Sequence, residues 1–140
     1  KINIALMSYF LVNEKRIDLP ENFNGIAVFY PKEKEEKIID EQKLLFQRLF
    51  ENGLNMKLSD MLWVEKDLAE PSFTFKNKGT VNCCLFFGVD PAQAGFRVQL
   101  PFNKFAAVNN IQLLQTASPK ELNEKPELKK TLWNSLQVLK

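Results

Sequence analysis

The stretch Val81-Asn82-Cys83-Cys84-Leu85-Phe86-Phe87-Gly88-Val89 decides how this chain folds. It is apolar at nearly every position, and Asp90-Pro91 ends it. A short apolar run bounded by turn residues reads as a strand, and a strand apolar on both sides must be covered on both faces. Proline lacks the ladder donor and biases the residue before it away from helix, so the break at Asp90-Pro91 is firm.

Working outward, the same pattern recurs at Ile26-Ala27-Val28-Phe29-Tyr30, opened by Gly25 and ended by Pro31. Lys32 to Lys37 alternates charges whose signs cancel, which fits a solvated loop or a helix start. From Ile38 to Phe50 apolar residues fall at 38, 39, 45, 46, 49 and 50, a helical stripe with Gly53 as its expected C-cap. The face made by Leu45, Phe46, Leu49 and Phe50 reads as core and not as a ligand pocket. Met61-Leu62-Trp63-Val64 is a further strand, and Ile111 to Leu114 a final one. Phe96 to Leu100 alternates apolar and polar residues up to Pro101. Leu68 to Gly79 reads as an irregular connection in which Phe73-Thr74-Phe75 could form a short strand. Upstream, Ile2 to Met7 is apolar, Tyr9 to Val12 is β-prone, and Asn13 to Asp18 reads as a charged loop.

The C-terminal part carries clear punctuation. Ser118, Pro119 and Glu121 form an N-cap, an N1 proline and a capping-box acid. Pro126 opens a second helix with Leu128, Leu132, Leu136 and Leu139 on one stripe, Trp133 beside it, and Lys129 and Lys130 turned to solvent. Strands alternating with helices imply an α/β fold. The expectation is a three-layer αβα sandwich with a mostly parallel, four-stranded central sheet built from 26–30, 61–64, 81–89 and 111–114. Residues 1–140 are expected to form a single domain. The chain begins at Lys1 rather than Met, so a short N-terminal segment is expected to be missing.

Composition narrows the chemistry. Lys plus Arg total 19 against 17 Asp plus Glu, a net charge of +2. That balance excludes charge-driven, unspecific nucleic-acid binding as the main activity. The chain contains 0 histidines, which removes Ser–His and Cys–His nucleophiles and His-ligated metals. Its 2 cysteines, Cys83 and Cys84, are adjacent; on a strand they face opposite ways and read as reduced core residues. The 12 phenylalanines argue against disorder. No apolar run reaches the length of about 18 residues that a membrane span needs. There is no Gly-rich phosphate loop and no ligand pair, so no cofactor and no metal is expected. A cytoplasmic location is the matching expectation.

One place could hold chemistry: the turn Gly88-Val89-Asp90-Pro91-Ala92-Gln93-Ala94-Gly95. Ligand sites of open α/β sheets lie at the carboxyl ends of strands, where Asp90 and Pro91 stand. The alternative is that Asp90 caps the turn and Pro91 stiffens it. Trp133 is the other candidate, as core or as a partner surface.

The apolar strand followed by Gly88, Asp90 and Pro91 resembles the first conserved motif of uracil-DNA glycosylases. That resemblance implies their fold, with strands in the spatial order 2-1-3-4 and helices on both faces. It implies their activity far less. Val89 and Ala92 stand where that family has a glutamine and a pocket-closing tyrosine, and the family's late His-containing loop has no counterpart.

The segment from Ser118 to Leu136 resembles the C-terminal signature of the psi subunit of bacterial DNA polymerase III, through Leu122, Pro126, Lys129 or Lys130, and Leu132-Trp133. This resemblance implies a non-catalytic replication accessory protein that connects the clamp loader to chi and, through chi, to single-stranded-DNA-binding protein. Clamp-loader and chi-like subunits are therefore the expected partners, with no strong direct nucleic-acid binding and no membrane contact. The clamp-loader segment would lie before or around Lys1 to Met7. The rival expectation is a uracil-DNA-glycosylase-like repair enzyme or its inactive relative.

Overall fold

The structure is a computed structural model, which describes residues 18–67 and 81–140 together with the backbone of two short strands, β1 (Glu14–Lys15) and β4 (Thr74–Phe75). The expectations for Ile2 to Met7, for Tyr9 to Val12 and for most of Leu68 to Gly79 lie outside the described residues. Strands β1 and β4 pair in parallel, so Glu14 and Lys15 belong to a small ladder where a charged loop was expected.

The main sheet has five strands in the order β3 (Leu62–Lys66), β2 (Ile26–Pro31), β5 (Cys83–Phe87), β7 (Ile111–Thr116) and β6 (Ala106–Val108). The first four are parallel and stand in the spatial order implied by the glycosylase resemblance. The fifth, β6, is an antiparallel addition to β7 that the sequence reading did not foresee. Asn109 and Asn110, both at positive φ, make the two-residue turn between Val108 and Ile111. Asn tolerates that left-handed conformation, and the resulting twist suits a tight hairpin. Its strand is too short and too exposed to leave an apolar signature.

Burial on both faces follows from the side-chain alternation of strands. Ile26, Val28, Cys83, Leu85, Phe87 and Leu114 point into one cluster, and Ala27, Phe29, Cys84, Phe86 and Leu113 into the other. The first cluster is closed by α1 (Glu36–Phe46), the π-helical turn 47–53 that continues it, α2 (Pro119–Glu124) and α3 (Pro126–Leu136). Phe46 and Phe50 meet Phe87 edge-on there, at 5.1 and 6.3 Å. The second cluster holds the Phe29–Phe86 stack at 4.9 Å. Among the described residues it is covered by the 3₁₀ turn Pro91–Ala94 and by irregular chain through Phe96, Val98 and Leu100. The fold is thus α/β with a mostly parallel central sheet between two cores, as expected, with five strands in place of four.

The alternation from Phe96 to Leu100 records one-sided burial of irregular chain. Two local expectations are corrected. The helix does not run as one α-helix to Phe50; it widens into a π turn after Phe46. Gly53 is not its C-cap. The cap is Leu54, and the left-handed residue that follows is Asn55, at φ 55°. Glycine is needed at position 53 for a different reason, because the ring of Trp133 rests on it.

The Ser118 cap forms as read: its Oγ accepts the Glu121 N–H at 3.2 Å, with Pro119 at the first helical position. Among the described residues no helix is long and apolar enough to cross a membrane.

Candidate functional site

Asp90 stands just beyond the carboxyl end of β5 and is exposed. Its Oδ1 accepts the Ala92 N–H at 2.9 Å, which makes it the cap of the 3₁₀ turn that Pro91 opens. A carboxylate held by the second amide after it is a local turn device. Pro91 is buried, and its carbonyl accepts the Phe96 N–H, closing the turn. Gly88 is equally structural. It takes φ +71°, its N–H donates to the Thr116 carbonyl, and a Cβ there would lie 2.6 Å from Ser118 Cβ. The frame shared with the glycosylase motif therefore ties β5 to β7 and to the start of α2.

Trp133 lies elsewhere, over the helical face of the sheet, and is half-buried. The edge of its six-membered ring sits where a Cβ on Gly53 would be, 2.5 Å from that position. On its outer side the Lys140 ammonium lies 5.9 Å from the ring centroid. The structure brings Asp90 and Pro91 together but places Trp133 apart from them.

Around Trp133 two helical faces diverge. Leu45, Arg48, Leu49 and Asn52 recur at the spacing of one helix face, as do Pro126, Lys129, Lys130 and Trp133 on α3. Between them runs a groove of about 500 Å³. Leu45 and Leu49, themselves core residues, form its floor with Trp133. Lys129 and Lys130 were expected to face solvent; Lys130 is exposed, and Lys129 is half-buried along the wall. A lysine can lay its stem on apolar surface and keep its ammonium wet. Sequence reading found Trp133 and both lysines, missed Arg48 and took Gly53 for a helix cap; the Leu45 and Leu49 face, expected to be core and no pocket, is core and also lines the groove, because the two helical faces diverge above it. The signal was present in the matching spacing of 45, 48, 49 and 52 with 126, 129, 130 and 133.

A smaller pocket of about 320 Å³ lies at the sheet edge beside Tyr30, Phe46 and Trp63. Burial, and secondarily the neighbouring Glu65 carboxylate, push the Tyr30 phenol up. The Trp63 indole N–H is already committed to the Leu58 carbonyl at 2.8 Å. Among the described residues no cluster of His, Cys, Asp and Glu could hold a metal ion. Cys83 and Cys84 are buried in opposite cores, and burial pushes the Cys83 thiol up to about 12.

No protein-family model matches this chain, and no curated protein matches it.

Proposed function

We propose that this chain is a psi-like connector, a non-catalytic replication accessory protein that holds a clamp loader on one side and a chi/single-stranded-DNA-binding-protein branch on the other. The observation that supports this reading is the placement of the psi-like residues. Leu122 and Leu132 are buried in the helical core, and Pro126 and Trp133 border one groove on the same surface. An aromatic half-covered beside apolar neighbours and ringed by cations suits a protein anchor. Cytoplasmic location and protein partners belong to the same proposal.

A second reading, a uracil-DNA-glycosylase-like enzyme or an inactive relative, draws on the strand order and on Asp90 at the carboxyl end of β5. Against it, the Asp90 carboxylate already accepts a backbone amide, and Ala92 offers no ring to stack on a base.

Capture experiments with the full-length protein test the proposal. Retention of clamp-loader and chi-like subunits is the expected result. Incubation with uracil-containing single- and double-stranded DNA at low salt, then alkaline cleavage of abasic sites, should give no strand breaks. Breaks that vanish in Asp90→Asn would overturn the connector reading and establish the enzyme.

A further inference from the structure

We infer that the groove between α3 and the end of α1 with its π turn receives an acidic segment of a partner protein, with one large apolar side chain seated on Trp133, Leu45 and Leu49 and flanking carboxylates on Arg48, Lys129 and Lys130. The inference rests on the connector reading and supplies the chemistry of the partner.

Charge carries the argument. One wall contributes Arg48 and the other Lys129 and Lys130, while among the described residues no carboxylate lines the groove. Cations gathered on both sides of a groove repel one another, and an anionic occupant relieves that repulsion. The chain as a whole carries only +2, so this excess is local and does not reflect a generally basic surface.

Shape and polarity decide what kind of anion fits. The floor is apolar, made of two leucines and the tryptophan. A volume of about 500 Å³ accommodates a few side chains of a segment but not a folded domain. An apolar anchor on that floor would supply affinity, and rim ion pairs would supply orientation and association rate. A single strand of nucleic acid fits less well, because such strands track successive stacking platforms. Here, among the described residues, one aromatic lines the groove, its benzo edge resting on Gly53, and the rest of the floor is aliphatic.

The test titrates the full-length protein into fluorescent probes and reads anisotropy. The probes are a short synthetic peptide with a central Leu-Phe pair flanked by Asp and Glu, its counterpart with Asn and Gln, and oligo-dT. The acidic peptide should bind on the order of tenfold more tightly than the neutral one at low salt. The difference should shrink as salt rises. Lys129→Glu combined with Lys130→Glu should abolish the preference while circular dichroism and the thermal midpoint show an intact fold. Trp133→Ala should weaken both peptides. Equal binding of acidic and neutral peptides, absence of binding by the acidic peptide, or tighter binding of oligo-dT would each overturn the inference. Capture of clamp-loader and chi-like subunits by the same variants separates it from the connector reading. Capture that persists without acidic-peptide binding removes this inference alone. Acidic-peptide binding without capture removes the connector reading and leaves the groove's specificity standing.

Discussion

Gly88 leaves no room for a side chain against Ser118: a methyl group on Gly88 would lie 2.6 Å from Ser118 Cβ and 2.7 Å from Ser118 Cα. The end of the central strand and the cap of α2 are therefore one joint. Neither partner can retreat easily, because Gly88 donates to Thr116 and the Ser118 side chain is engaged with Glu121.

Gly88→Ala should accordingly destabilise the protein. The left-handed φ alone costs about 1–3 kcal/mol for a residue with a Cβ, and the clash with Ser118 adds to it. Urea unfolding should show a lower midpoint with an unchanged slope.

Leu132 is fully buried where α3 meets the helical core. Leu132→Ala should cost about 2–5 kcal/mol, the transfer loss plus the cavity. A denaturant midpoint equal to that of the wild type would show that α3 does not contribute to the core.

Asp90 is assigned a capping role, and its two simplest variants separate that role from chemistry. Asp90→Asn keeps an acceptor for the Ala92 N–H and should be nearly neutral in thermal melts. Asp90→Ala removes it and should lose about 0.5–2 kcal/mol, the usual cost of a lost cap.

Cys83 is held neutral by burial, with its ionisation pushed from 9.0 to about 12. The folded value lies above the unfolded one, so the folded state binds the proton more tightly. The stabilisation this reflects is complete below pH 9 and is lost as pH rises toward 12. Stability measured across that window should fall less steeply in Cys83→Ala than in the wild type. At neutral pH, thiol reagents should label Cys83 and Cys84 only at the rate of unfolding.

Most of the sheet was legible in the sequence because each parallel strand is covered on both sides and leaves an unbroken apolar run. Ile26–Phe29 and Cys83–Phe87 carry that signature most clearly. Edge strand β6 has no such run; the one trace it leaves is Asn109-Asn110, a hairpin turn that reads as polar loop. The alternation at Phe96, Val98 and Leu100 marks one-sided burial, which needs no strand. Sequence also found the members of the groove's α3 wall, but not the wall facing it. Arg48 reads as the solvent side of a helix until Trp133 is known to lie against Gly53.

The parallel order has a consequence in time. Its central ladder joins Ile26 to Cys83 and Cys83 to Gln112, partners far apart along the chain. Of the main sheet's pairings among the described residues, β6 with β7 alone closes through a short turn. Refolding should therefore occupy the slow, non-local part of the range for small domains, milliseconds to seconds. During synthesis, Leu85 and Phe87 must wait for Leu132 and Leu136, core partners that follow much later in the sequence. Until then the run Cys83–Phe87 is an uncovered, uncharged β-prone segment, the kind that pairs with its own copies. A chain stopped before Pro126 should aggregate, and its deposits should contain that strand.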